Sequence, residues 1–415
     1  MLGMRLVSIA LALTAPFVLL ANPGMRPALA PGDGSPLGAP PVACGIDVLA
    51  ASDCAALAGA RIGLITNHTG LDRAGRRTID VLDAAENCEL VALFSPEHGP
   101  AGALDQEGIA SSKDAATGLV VHSLYGETRA PTPAMLAGLD TLVFDVQDAG
   151  ARFYTYVSTM CLALEAASRA DLRFVVLDRP NPLGGRAEGP VLDAGRESFI
   201  GCHTLPVRHG LTAGEIARLY AAEKSIDVRL DVIACEGWTR DMRFDATGLS
   251  FTAPSPNLRR LSQVLLYPGV GLLEFTNLSV GRGTDTPFER IGAPWLDGRA
   301  LARRVAELGV PGLACVPVEF TPSASRFAGE RCSGVDLFVT DWREFRPVHT
   351  GLALACALRD VGGSAFELAA LDRSLSDAVV LEALEAGAAL ADLEPLWRAD
   401  LAAFQERCAP HLLYP

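Results

Sequence analysis

Four apolar runs in the first half of the chain each stop abruptly at polar or charged residues. Residues 61–66 (RIGLIT), 90–95, 141–146 (TLVFDV) and 173–178 (RFVVLD) are largely apolar at both odd and even positions. A strand covered on both faces requires that pattern. Between these runs, 78–86 and 157–169 repeat their apolar positions with a helical period, and 119–124 carries a weaker strand pattern. Strands that alternate with helices predict an α/β fold with a mostly parallel sheet. From about residue 201 the texture changes. A helix over 213–224 is followed by loops rich in proline and glycine, notably 254–257 (PSPN) and 281–284 (GRGT). The C-terminal stretch, rich in Ala, Leu and Glu, predicts helices packed on a second domain. At 415 residues the chain is too long for one ordinary core. The expected division is a leader over 1–43, a sheet domain over 44–200 and an auxiliary domain over 201–415.

The N-terminus predicts export. Arg5 precedes an apolar run over 6–20 that is short for a membrane span and is interrupted by Pro16. A secretory signal fits better than an anchor helix, and the Pro-, Gly- and Ala-rich stretch that follows suits a flexible leader. Cys44 follows Val42-Ala43, as in a lipoprotein signal, but it lies far from the apolar run and Pro41 occupies an aliphatic position. No later stretch is long and apolar enough to span a bilayer, so the expected location is periplasmic or extracellular, without stable membrane insertion after signal removal. Ten cysteines permit disulfides in such a compartment. Their spacing contains no CxxC and no Cys/His zinc pattern. Cys44 with Cys54, and Cys315 with Cys332, are the nearest pairs in sequence.

In a parallel sheet, ligands sit outside the carboxyl ends of the strands. Here those ends carry Asn67-His68, Glu97-His98, Asp145-Val146-Gln147-Asp148 and Asp178-Arg179. No GxGxxG and no GxxxxGK[ST] occurs, so a dinucleotide or nucleotide triphosphate site is unsupported and no cofactor is expected. The net charge of −14, with scattered basic residues, argues against nucleic acid.

Glu97 follows an apolar run that ends at Pro96, and Gly99 then lets the backbone turn. Apolar neighbours favour a protonated carboxyl, which suits a general acid; a carboxylate bonded to backbone amides is the plain alternative. His98 has three readings: it orients Glu97, touches substrate or binds a metal. Asp145 and Asp148 are candidates for the second acid or base of a glycoside hydrolysis, or for a cation site. A turn cap paired with Arg152 is the structural alternative. Tyr154 and Tyr156 suit stacking and hydrogen bonding to a sugar, or a plain aromatic core. The segment 178–186 (DRPNPLGGR), stiffened by two prolines, offers Arg179 and Asn181. An arginine on an ordered loop can receive a ligand carboxylate with two parallel bonds. Thr212-Ala213-Gly214-Glu215 fits a helix-capping box, so Glu215 reads as structural. Glu274 and Arg282, the latter between two glycines, come from the second half and are placed to close a cleft over the sheet. No HExxH and no GxSxG elbow is present.

Taken together, 63–70 (GLITNHTG), 95–99 (SPEHG), 145–156 (DVQDAGARFYTY), 177–185 (LDRPNPLGG), 254–257 and 281–289 (GRGTDTPFE) resemble the NamZ-type exo-β-N-acetylmuramidases. The similarity runs from about Gly45 to the C-terminus, where Leu412-Leu413-Tyr414 is also typical. Phe275 stands where the family often has Gly, and Val280 where it often has an acidic residue. The resemblance implies a Rossmann-like domain joined to a smaller α+β auxiliary domain, with the active site in the cleft between them. It implies release of N-acetylmuramic acid from non-reducing ends of peptidoglycan fragments, with the PEHG glutamate, here Glu97, as the catalytic acid/base. A sugar with a lactyl carboxylate agrees with the physical reading, with Arg152, Arg179 or Arg282 to hold the lactyl group and Asn67, His68, Tyr154 and Tyr156 to line the pocket. Two other classes compete. One is a non-catalytic muropeptide-binding protein; the other is a metal-dependent hydrolase or deacetylase using His98, Asp145 and Asp148.

Overall fold

The apolar runs of the first half become the middle of one seven-stranded sheet. The structure is a computed structural model that describes residues 41–415; the expected signal and nearly all of the expected leader lie outside the described residues. The first nine strands are β1 (Arg61–Thr66), β2 (Glu89–Ser95), β3 (Ser112–Lys113), β4 (Val120–Ser123), β5 (Thr141–Asp145), β6 (Arg173–Leu177), β7 (Glu188–Val191), β8 (Pro206–Arg208) and β9 (Leu230–Ile233), of which β7 and β8 form a separate antiparallel pair. The sheet order is β3-β4-β2-β1-β5-β6-β9, parallel throughout except for the edge pair β3 and β4. The chain builds outward from β1 to β2 and β4, then returns to the other side of β1 with β5, β6 and β9. The switch point therefore lies between β1 and β5. With β9 as its outermost strand, the sheet extends past residue 200.

Both faces are covered, as the two-sided apolar runs demand. On one face Ile62, Leu64, Val143 and Val175 pack with Ile46, Leu49, Ile79 and Leu82 from the helices Gly45–Ala51 and Thr78–Asp83. On the other, Ile65, Phe94, Phe144 and Phe174 meet the helices Tyr156–Arg169 and Ala213–Glu223. That second core continues without a break into the remainder of the chain, through Leu352, Leu393 and Trp397. The capping box holds: Thr212 N donates to Glu215 Oε2 at 3.0 Å and Glu215 N donates to Thr212 Oγ1 at 3.2 Å. Glu215 is structural in a second way, because Arg240 Nη1 binds it at 2.7 Å.

The later residues add β10 (Arg290–Ala293), β11 (Leu313–Phe320) and β12 (Cys332–Val339), an antiparallel sheet in the order β10-β12-β11. Helices Leu261–Val270 and Pro347–Gly362 cross at Gly269 and Gly351. A Cβ on Gly351 would sit 2.4 Å from the Gly269 carbonyl oxygen, so only glycine permits this approach. The last long helix, Leu390–Cys408, lies against β7 and Pro347–Gly362. The chain then returns to the sheet, where Tyr414 Oη donates to Asp178 Oδ2 at 2.5 Å. None of the ten cysteines is in a disulfide; the sulfurs of Cys161 and Cys202 lie 3.4 Å apart. No helix among the described residues is long and apolar enough to cross a membrane.

Candidate active site

The carboxyl rim of the sheet carries two different polar constructions. At the ends of β2 and β4 lies an open cleft of about 580 Å3. Its floor comes from the sheet side and includes Glu97, His98, Tyr125, Arg129, Tyr154 and Thr155. Its far wall comes from later in the chain and includes Tyr267, Glu274, Phe275, Arg282 and Arg373. Residues from both the sheet half and the later half therefore line it.

Register explains why Glu97 and Tyr125 meet. Strands β2 and β4 are parallel, with Ser95 opposite Ser123, so Glu97 and Tyr125 leave their strand ends side by side. Glu97 is half-buried and accepts a short hydrogen bond from Thr155 Oγ1 at its Oε2. Burial, then the Glu97 carboxylate, pushes the Tyr125 phenol up to about 12. Next in the chain, His98 and Gly99 both adopt left-handed backbone, with φ of 70° and 71°. That conformation costs a non-glycine residue energy, so the turn must be held from outside. His98 Nδ1 donates to the Leu104 carbonyl at 2.6 Å and ties down the loop after the turn. Against this loop lies His68, so close that a Cβ on Gly102 would stand 1.8 Å from its Cε1. His68 Nε2 donates to the Ala253 carbonyl at 2.6 Å, and burial pushes its pKa down against that bond.

The two tyrosines serve as a bracket. Tyr154 and Tyr156 both donate to the carbonyl of Pro254, at 2.9 and 2.7 Å. They pin the 254–257 loop to the sheet domain, and only Tyr154 also lines the cleft. On the far wall, Glu274 Oε1 accepts from Arg282 Nε at 2.6 Å, and Arg282 Nη1 reaches Asp105 at 3.3 Å. Tyr267 lies within the field of both glutamates. Burial, then Glu274, raises its phenol pKa well above the ordinary value, and Glu97 adds to the rise.

At the switch point the rim is closed. Asp145, wholly buried, accepts from Arg179 Nε at 2.5 Å and Nη2 at 3.0 Å, and from Thr78 Oγ1. Arg179 gives a further bond to the Leu71 carbonyl at 2.9 Å. A crevice of about 140 Å3 touches Arg179 but none of the cleft residues. Asp148 Oδ2 accepts from Gly150 N at 2.6 Å and from His209 Nε2 at 3.1 Å, while its Oδ1 is buried with no hydrogen-bond partner among the described residues. Arg152 is 2 % exposed and spends its terminal nitrogens on the carbonyls of Pro190, Leu205, Ser374 and Leu375. Asn181 closes its own loop through Leu183 N and the Leu211 carbonyl.

Of the residues that sequence patterns single out, the structure gathers Glu97, His98, Tyr154, Glu274 and Arg282 around the cleft. It places Asp145, Asp148, Arg152, Arg179 and Asn181 in the buried framework, because each is bonded to framework groups and none lines the cleft. Asn67, His68 and Tyr156 stand behind the cleft floor. Asn67 Oδ1 accepts from Thr69 N and Oγ1 at 2.9 and 2.6 Å, and Asn67 and His68 line a different crevice. His98, Asp145 and Asp148 do not converge; among the described residues no group of three His, Cys, Asp or Glu side chains is poised for a metal. Tyr125, Arg129, Thr155, Phe199 and Arg373 also line the cleft, although no sequence pattern singles them out. A usable signal existed, because Tyr125 and Arg129 follow the weak strand β4 just as Glu97 follows β2.

A parallel α/β sheet with a cleft at its carboxyl rim, lined by carboxylates, arginines and aromatic rings, fits the class of carbohydrate hydrolases. Family comparison makes the assignment specific. Residues 62–262 match the model for exo-β-N-acetylmuramidase NamZ, N-terminal, and 265–414 match that for its C-terminal part. The chain belongs to the NamZ exo-β-N-acetylmuramidase family. It is 40 % identical over 380 residues to the peptidoglycan β-N-acetylmuramidase NamZ of Bacillus subtilis (strain 168), covering 90 % of this chain and 92 % of that one. Two crystal structures of DUF1343 family proteins from Bacteroides fragilis NCTC 9343 share the fold. One superimposes with a TM-score of 0.83 at 34 % identity, the other with 0.73 at 28 %, each covering 90 % of this chain and 99 % of its own.

Proposed function

We propose that this protein is an exo-acting β-N-acetylmuramidase that releases N-acetylmuramic acid from non-reducing ends of peptidoglycan fragments. The observation that carries the reading is Glu97. It is a half-buried carboxyl at a strand end, held by Thr155 in an open cleft, within a chain of this family. Glu97 gives its proton to the glycosidic oxygen as the C1–O bond breaks, and water completes the hydrolysis at C1. The hydroxyls of Thr155 and Tyr125 orient the carboxyl, and no cation among the described residues pairs with it. Glu274, on the opposite wall and with Arg282 beside it, is the carboxylate placed to meet the positive charge that develops on the sugar ring. Asp145 has no such freedom, because Arg179 and Thr78 occupy its carboxylate.

Release of chromophore from a synthetic N-acetylmuramide, measured beside the matching N-acetylglucosaminide, tests the reading. Turnover of the first alone is the expected result. Binding of the muramide with no turnover would favour a non-catalytic muropeptide receptor. A peptidoglycan substrate and the apolar run over 6–20 together support an exported enzyme; fractionation of cells expressing the full chain checks this, with the protein expected outside the cytoplasm.

A further inference from the structure

We infer that Arg129 forms a carboxylate subsite that recognises the lactyl group of the terminal sugar, and so selects a muramide over a glucosaminide. The inference rests on the muramidase reading above. Four arginines line the cleft, and two are committed. Arg196 Nη2 binds Asp372 at 2.5 Å, and Arg282 binds Glu274 and Asp105. Arg373 stacks on Phe275 at 4.2 Å but is exposed, so water already satisfies its charge.

Arg129 differs from all three. Its Cζ lies 3.6 Å from the centroid of the Tyr125 ring and 4.8 Å from that of Phe199. Two aromatic rings therefore hold the guanidinium, and all three side chains line the cleft. No carboxylate among the described residues stands within ion-pair distance of it, and its Nη1 is buried with no hydrogen-bond partner. Ring faces attract the cation but cannot accept its in-plane N–H bonds. Arg129 also hydrogen-bonds the Tyr125 phenol, but a half-buried guanidinium with its Nη1 donor unspent favours a planar anion, and a carboxylate matches its fork. Position then names the anion. Tyr125, stacked against Arg129, leaves its strand end beside Glu97 and shares a hydrogen bond with it. A sugar with its glycosidic oxygen at Glu97 thus presents its nearby ring substituents to Arg129. The lactyl ether of muramic acid sits on C3, two carbons from the bond that breaks, and ends in a carboxylate.

The experiment compares wild type, Arg129→Met and Arg129→Lys on three substrates: the chromogenic N-acetylmuramide, its lactyl methyl ester and the N-acetylglucosaminide. Arg129→Met should lose roughly 100-fold in kcat/KM on the muramide, chiefly through KM, since a buried charge pair loses one partner. The ester should show little difference between wild type and Arg129→Met. Arg129→Lys, which keeps the charge without the fork, should fall between. Calorimetric binding of free N-acetylmuramic acid should weaken in parallel, and this readout needs no turnover. Unchanged preference for the acid over its ester in Arg129→Met, with unchanged binding of the free sugar, overturns the inference. Failure of the wild type to cleave the muramide at all overturns the muramidase reading instead, so the two failures are distinct.

Discussion

Two stretches of the same rim have the same raw material and opposite fates. At the ends of β5 and β6, Asp145, Arg179 and Asp178 are saturated. Asp145 takes three bonds from Arg179 and Thr78, and Asp178 takes bonds from Thr212, Gly214 and Tyr414. At the ends of β2 and β4, Glu97 is held by the hydroxyls of Thr155 and Tyr125 with no cation paired to it among the described residues, and Arg129 keeps an unpartnered nitrogen. The crevice rule for doubly wound sheets points to the switch point. In this chain the switch point is closed by an ion pair, and the site has moved one strand outward. Charged residues at strand ends are thus not equivalent. Those that find internal partners build the frame, and those left open face the ligand.

Mutations at matched positions sharpen that contrast. Glu97→Gln carries the largest expected effect on chemistry. It should lower kcat on an N-acetylmuramide by about 1,000-fold, within the usual range for a general acid, with an unchanged melting curve. A wild-type rate from folded Glu97→Gln would break the division between the two stretches. Asp145→Ala should do the reverse. Arg179 would be left buried without its partner, at a cost of about 3–5 kcal/mol measured by urea denaturation, while the protein that remains folded keeps its kcat. Thr155→Val sits between the two. Loss of one hydrogen bond to a charged group should cost about 1.5–3 kcal/mol of stability in urea, and loss of the carboxyl's orientation should lower kcat roughly 10- to 100-fold. The smallest effect concerns pH. Burial pushes Asp178 up from 3.8 to about 6, against the bonds from Tyr414, Thr212 and Gly214 that hold it down. The folded form then binds the proton more tightly than the unfolded chain, so this group's contribution is full below the lower value and is lost as pH rises toward the upper one. Asp178→Asn should flatten that part of the slope in a pH series of denaturation curves.

Much of the frame was legible because two-sided apolar runs have few alternatives. The run over 61–66 is β1 to the residue, and the helix expected over 157–169 begins one residue earlier, at Tyr156. The helix expected over 78–86 stops at Asp83, where Ala84 begins the turn. Glu97 was legible because proline, acid, imidazole and glycine meet at a strand end. Arg152 was misleading for a physical reason: its neighbours in sequence are cleft residues, but its side chain runs the other way and binds four carbonyls. Arg129 was missed because β4 is short and weakly patterned, so its end drew no attention.

The sequence by itself determined the parallel sheet, the strand ends that carry polar groups, the family and the candidate proton donor. Those features depend on local period and on ordered motifs, which a chain displays without folding. Tertiary structure alone decided which polar groups remain open. An ion pair such as Asp145 with Arg179 spans 34 residues, and the Tyr414 bond to Asp178 spans 236. Whether a charge is spent or available depends on partners that distant, and only the packed molecule brings them together.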